Sequence, residues 1–460
     1  MIDYLIIGNG VAGKKALETI RGIDKSGTIT VVSDENHHFY YRPQLPEFIA
    51  DKIEERSLFA NAEDFYKKNN VETLFGVKAT SVSPHKNQVV LENGNVLEYK
   101  KLLLAPGGRL KQKKYPGAEK TEDVIGLKTL NDAIAIKNKI KETKQVVIVG
   151  DSFFAAHLVK SFNERGVAVT YIMREGRLFP EIIDADASKV LEIRLQTKGI
   201  KLLKNIDIKE IAVRKGLIYG VKTTDDKFIE CQLVGIADGL KPDIEFIKDR
   251  GIATGEGIFV DRNMRTNCTD IFAAGDAALL LNSGYSDMPQ INIRWLKAWK
   301  QGIVSGRNMV GEDAVYDDVE CYASTQVYDT DLVSIGISNP MNGKYKIMRG
   351  EYPHPDIDVY KKLVLFNEKI VGALLVGDVR EASAIMKAII EEKMVSEIDK
   401  KLLKQMFDMN YRLSPYRGII CPVCKLEILL DPNLKEGDML NCPACGIDIK
   451  LTKERMSNIR

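Results

Sequence analysis

At 460 residues the chain exceeds what one hydrophobic core supports and should form two to four domains. Charged residues at 28% and the apolar set at 45% give an ordinary globular profile. With 66 basic against 64 acidic residues, the net charge of +2 excludes a strong field of one sign, and so argues against nucleic acid or an anionic membrane as a partner.

The opening MIDYLIIGNG lacks the basic n-region of a signal peptide, and its apolar run is a short strand ending in glycine. No run approaches the ~20 apolar residues of a spanning helix. The expectation is a cytoplasmic protein without membrane insertion. Cysteine usage agrees: four of the seven lie in two C-x-x-C pairs and three are scattered singly, which is no disulfide framework. Cys231, Cys268 and Cys321 read as small core residues.

Residues 4–13, YLIIGNGVAG, carry an apolar strand into G-x-G-x-x-G (Gly8, Gly10, Gly13), and KKALETIRGI continues as a helix. The first glycine permits the tight turn, the second lets backbone approach a pyrophosphate, and the third lets helix pack on strand. The helix N-terminus then offers free N–H groups to phosphates. A second strand, TITVVSDE, ends in Asp34 and Glu35, where an acid accepts ribose hydroxyls. His37 and His38 follow as loop residues.

Residues 146–157, VVIVGDSFFAAH, have the outline of a second dinucleotide turn. Gly150 stands at the first glycine position and Ala155 at the third. Ser152 replaces the second glycine and adds a Cβ, while Asp151 sets a negative charge beside the pyrophosphate seat. The next strand, VTYIMREGRLFP, ends in Met173 in place of an acid, followed by Arg174. An arginine here is the partner expected for a 2′-phosphate, which favours NADPH over NADH. Nicotinamide nucleotide binding is expected to be weakened but kept, through Gly150, Ser152 and Arg174.

Far along the chain TDIFAAGDAAL supplies another strand and turn, with Gly275-Asp276 expected to open a helix. Together with Tyr40, Arg42 and Pro43, LLLAPGGR at 102–109, and Pro116-Gly117, this segment makes the chain resemble the FAD-dependent pyridine nucleotide–disulfide oxidoreductase family over about residues 1–400. The nearest likeness is to NADH–rubredoxin reductases and to the N-terminal part of large nitrite reductase subunits.

The resemblance implies an α/β fold with two Rossmann-like three-layer domains, a small α+β interface domain, and an added C-terminal zinc ribbon. The segments are an FAD domain at 1–115 and 241–312, an inserted NAD(P)H-type domain at 116–240 with the family's leading helix within VIGLKTLNDAIAIKNKIKETKQ, an interface domain at 313–410 and the ribbon at 411–460. It also implies that Gly8, Gly10 and Gly13 hold the FAD pyrophosphate and that Asp34 or Glu35 takes the adenosine ribose. Arg42 would lie beside the cofactor, Gly275 and Asp276 at the ribityl chain, and Trp295 either near the flavin or in the core as an aromatic. Three positions depart from the family: Ala105-Pro106-Gly107 replaces A-T-G, Glu47 stands where a lysine near the flavin is common, and His157 replaces a common glutamate.

The first 230 residues contain no cysteine, which excludes the flavin-proximal thiol many relatives use. A flavin accepts hydride and releases electrons singly, so the expected function is electron passage between NAD(P)H and a protein carrier: rubredoxin, ferredoxin or an iron–sulfur protein. The alternative is a flavin-bearing subunit of a larger redox complex with a disused nucleotide site. A homodimer is compatible with either.

From about residue 313 the sequence is strand-rich, with a turn at Asn367-Glu368 and then the helical stretch EASAIMKAIIEEK. In the tail, CPVC and CPAC supply Cys421, Cys424, Cys442 and Cys445 at a spacing that suits a tetrahedral four-thiolate site. Lys425 follows the first knuckle, only the second is followed by glycine (Gly446), and no aromatic residue lies between them. Zinc is therefore favoured over iron, with the tail as a docking module.

Overall fold

The computed structural model describes residues 1–59, 62–111, 113–281, 295–316, 322–340, 343–350, 359–407, 418–421, 427–430, 434–442 and 447–452. Strand Ile2–Ile7 is almost wholly apolar, the pattern of a strand covered on both faces. It pairs in parallel with Ile29–Ser33 on one side and Val96–Leu104 on the other. Val71–Phe75 extends one edge, and Ile271–Ala273 joins Val96–Leu104 in parallel, closing a seven-stranded sheet from two distant chain segments. Helix Val11–Ile23 packs on helix Trp295–Met309. A Cβ on Gly302 would stand 2.4 Å from the carbonyl oxygen of Ala12, so this crossing needs glycine.

A second, all-parallel sheet runs in the order Lys201–Lys204, Ala168–Met173, Gln145–Val149, Leu233–Ile236, Val124–Ile125. The expected leading helix is Leu130–Ile140, started by a capping box between Thr129 and Asp132. Strand Leu240–Pro242 returns to pair with Gly108–Leu110, so the inserted unit leaves the first domain and rejoins it at one place.

A five-stranded antiparallel sheet follows, in the order Tyr322–Val327, Thr330–Gly336, Lys369–Gly377, Tyr360–Phe366, Lys346–Arg349, covered by helix Ala382–Ile390. The anticipated turn is present: Asn367 and Glu368 have φ of 49° and 60°, the left-handed pair of a tight hairpin. The tail forms two short hairpins, Gly418–Ile420 with Glu427–Leu429 and Met439–Asn441 with Asp448–Lys450. Cys421 and Cys442 each follow a first hairpin strand directly and are buried in one apolar cluster with Ile385 and Ile389 of the interface domain. Cys424 and Cys445 lie outside the described residues, as does Cys321.

One expectation is corrected. Gly275-Asp276 does not open a helix: Gly275–Ala277 is a single 3-10 turn leading straight into strand Ala278–Leu280. That strand pairs in parallel with Ile258–Val260, and its hydrogen bonds override the helical reading of AAL.

Candidate functional site: two dinucleotide crevices

The first crevice lies at the carboxyl ends of Ile2–Ile7, Val96–Leu104 and Ile271–Ala273, the usual place for ligands in open α/β sheets. Gly8, at φ +107°, turns the chain where a Cβ would stand 2.0 Å from the carbonyl oxygen of Ala105. A Cβ on Gly13 would stand 2.0 Å from the Gly8 carbonyl oxygen. Gly10 differs: it caps helix Val11–Ile23, no side chain caps its N–H groups, and a Cβ there meets nothing within 4 Å. The turn is closed toward protein on two glycines and open on the third, which is the shape of a pyrophosphate cradle.

The distant segment arrives at the same place. A Cβ on Gly275 would be 3.3 Å from Cβ of Ala12, in the first turn of that helix, and the Gly275 N–H donates to Oε1 of the fully buried Gln301 at 2.8 Å. Asp276 has no hydrogen-bond donor among the described residues. Burial raises its carboxyl to about 6, against the pull of Arg42, Lys128 and Lys297. A desolvated carboxylate without donors at a cleft suits a polyol chain that brings its own hydroxyls.

Glu35, not the exposed Asp34, turns inward. Both its oxygens are engaged, one by Arg42 Nη2 at 2.5 Å and one by the Tyr40 hydroxyl at 2.6 Å, and Arg42 also donates to the Lys128 carbonyl. Burial raises the Glu35 carboxyl, but Arg42 outweighs it and the net shift is downward. A carboxylate has about four lone-pair positions, so ribose hydroxyls can still be accepted beside these two donors. Arg42 links Glu35 to the field around Asp276, and Tyr40, which the motif reading left without a role, holds the pair together. Trp295 packs with Phe39 and Tyr41 at centroid distances of 6.0 and 5.9 Å, in the apolar cluster that also holds the tail cysteines. His37 bonds Asn131 and His38 packs on Tyr66, as loop residues. These residues fit FAD.

The second crevice keeps the turn with altered charges. Gly150 has φ +141°, and a Cβ on it would stand 2.4 Å from the carbonyl oxygen of Ala237. Ser152 heads helix Phe153–Glu164 without capping it, because its hydroxyl donates instead to the Ala237 carbonyl at 2.7 Å. The helix N–H groups therefore remain available to a phosphate, so a nicotinamide nucleotide fits. Burial raises the Asp151 carboxyl to about 6. Arg174 pairs with Asp238, approaches Asp151 at 3.8 Å and reaches the Tyr115 hydroxyl at 3.5 Å. Asp238 was not singled out from sequence, although GIADG at 235–239 is itself a strand ending in a turn. Met173, at the acid position, is fully buried.

Two departures from the family have new partners. Glu47 pairs with Lys160 of the inserted domain at 2.8 Å, and His157 bonds the Thr325 hydroxyl at 2.8 Å. Cys231 is fully buried with its thiol pushed up to about 12, and the Cys268 thiol is also raised by burial. Neither has the thiolate character of a redox partner.

The paired crevices define a two-dinucleotide reductase. The chain belongs to the pyridine nucleotide-disulphide oxidoreductase family, whose model matches residues 2–302, and residues 324–394 match the rubredoxin NAD+ reductase C-terminal domain. It is an oxidoreductase, and FAD with a pyridine nucleotide are the cofactors of that family. The NADH-rubredoxin oxidoreductase of Clostridium acetobutylicum is 31% identical over 397 residues, covering 86% of this chain and 96% of that one. A ferredoxin–NAD(+) reductase component of a dioxygenase from Photorhabdus laumondii is 28% identical, covering 84% and 95%. The Clostridium acetobutylicum enzyme's crystal structure superposes with a TM-score of 0.72 at 28% identity, covering 87% of this chain and 98% of that one. Among the described residues no helix is long and apolar enough to cross a membrane.

Proposed function

We propose that this protein takes a hydride from NAD(P)H onto FAD and passes the electrons singly to a protein carrier of the rubredoxin or ferredoxin kind, without a redox-active thiol. The observation that carries this reading is the convergence of Gly8–Gly13 with Gly275–Asp276 at the carboxyl ends of one sheet. The relatives named above carry NADH or NAD(+) and an electron carrier in their own names, which disfavours a disused nucleotide site. Gly8, Gly10, Gly13, Glu35, Arg42, Gly275 and Asp276 would hold FAD, with Asp34 at its rim. Gly150, Ser152 and Arg174 would hold the nucleotide. Anaerobic titration with NADH and NADPH tests this: bleaching of the yellow flavin at micromolar nucleotide is expected, and its absence at millimolar levels overturns it.

The segmentation proposed is 1–115, 116–240, 241–312, 313–410 and 411–460. The tail would hold zinc through Cys421, Cys424, Cys442 and Cys445, making the ribbon a docking module, since zinc has no redox chemistry. Two described features support this: Cys421 and Cys442 each directly follow the first strand of a hairpin, and the Cys442 N–H donates to the Ile447 carbonyl across the second knuckle. A cytoplasmic location and an assembly state of one or two chains complete the proposal.

A further inference from the structure

In the second sheet, Gln145–Val149 is flanked in parallel by Ala168–Met173 on one side and Leu233–Ile236 on the other. Their carboxyl ends form one edge, with Gly150 and Asp151 at its centre, Arg174 one residue past the first flanking strand and Asp238 two residues past the second. Neighbouring strands lie about 4.8 Å apart. The Arg174–Asp238 pair therefore spans the mouth of the Gly150 turn, over the end of the middle strand, where the pyrophosphate of a dinucleotide belongs. Asp151 stands 3.8 Å from the same guanidinium, and the Lys113 backbone N–H donates to Asp238 at 3.3 Å. The side chains of Asp151 and Asp238 are 12% and 10% exposed, so the pair is poorly screened by water.

We infer that Asp238 is a specificity-determining residue: it holds Arg174 across the nucleotide crevice and withholds it from the 2′-phosphate of NADP(H). This rests on the reading that the crevice takes a nicotinamide nucleotide. Arg174 follows the strand whose end faces the adenosine ribose, so it has the reach to meet a 2′-phosphate. While Asp238 holds it, that phosphate must displace a carboxylate already in a charge-assisted bond, and the extra phosphate brings little net affinity. NAD(H) makes no such demand. Both nucleotides bear the pyrophosphate, so a loss of repulsion from Asp238 improves both alike. Only release of Arg174 changes their ratio.

The test is calorimetric titration of the FAD-loaded protein with NADP+ and NAD+, comparing the unchanged chain, Asp238→Asn, Asp238→Ser and the double variant Asp238→Asn/Arg174→Gln. In both single variants NADP+ affinity should rise about tenfold more than NAD+ affinity, roughly one charge-assisted bond. The double variant should lose that difference. Equal changes for the two nucleotides, a difference that survives in the double variant, or binding of neither nucleotide to any variant overturns the inference. Flavin bleaching reports separately. Bleaching with an unmoved ratio removes the latch and leaves the proposed function standing. A moved ratio without bleaching does the reverse.

Discussion

The carbonyl oxygen of Ala105 stands 2.0 Å from where a Cβ on Gly8 would lie, so the strand ending at Leu104 is pressed directly against the first glycine turn. Gly8→Ala must shift one backbone segment and hold alanine at φ +107°, which alone costs about 1–3 kcal/mol. The expected outcome is a lower melting temperature together with loss of the yellow colour. Gly10 separates these effects, because it has φ −79° and open space at its Cβ position. Gly10→Ala should melt like the unchanged apoprotein yet bind FAD at least ~10-fold more weakly, measured by flavin fluorescence on titration.

Asp276 gives the flavin site a pH dependence whose sign can be worked out. Its carboxyl, raised to about 6 by burial, is ionised at neutral pH. Hydroxyl donors from a bound polyol favour the ionised form and lower that value, so FAD binding releases protons and weakens as pH falls through 6. Ultrafiltration between pH 8 and 5 should show growing flavin loss below pH 6, and Asp276→Asn should flatten the profile. The apoprotein's stability has the opposite sign. A raised carboxyl favours folding only while protonated, so its contribution is present below the unfolded value of 3.8 and lost as pH rises through about 6.

The sequence made Gly8, Gly10, Gly13 and Gly150 legible because their constraint is local: a strand, a turn and a helix that follow one another directly. The hairpin at Asn367-Glu368 was legible for the same reason, whereas the two Rossmann-like domains followed from the family resemblance, because the first sheet joins distant segments. The turn at Gly275 was misread, since pairing of Ala278–Leu280 with Ile258–Val260 is tertiary and leaves no periodic trace. Asp238 and Lys160 carry no signal of their roles in the sequence, because each gains its role from a partner on another element. Tyr40 lies in a recognised motif but takes its role from Glu35 in the same loop. The distance from Tyr40 to Glu35 is five residues, but from Asp238 to Arg174 it is 64 and from Lys160 to Glu47 it is 113.

Glu47 and Lys160 also supply a stability prediction. Lys160 sits on helix Phe153–Glu164 of the inserted domain with its side chain 10% exposed, and Glu47 reaches it from helix Leu45–Ile49 of the first domain. Glu47→Ala leaves an ammonium largely buried without that carboxylate, at about 2–3 kcal/mol after allowing for partial exposure of the glutamate. Thermal unfolding should begin at a lower temperature. The exchanged pair Glu47→Lys/Lys160→Glu should recover most of the loss, which a packing defect at either position could not do.

The tail gives the last prediction. Cys421 and Cys442 are fully buried on the apolar cluster shared with Ile385, Ile389 and Trp295, so whatever orders the knuckles also completes the cover of the interface domain. Thiolates are costly in an apolar setting unless a cation compensates them, and a structural zinc contributes about 10–16 kcal/mol in small modules. Metal analysis should find about one zinc per chain and no iron. Dialysis against a strong chelator should make the tail sensitive to protease and expose apolar surface to a hydrophobic dye. FAD should stay bound, because the glycine turns that hold it lie on a different sheet. Cys442→Ser should reproduce the chelated state without chelator, and an iron spectrum in the purified protein would instead make the tail an electron carrier in its own right.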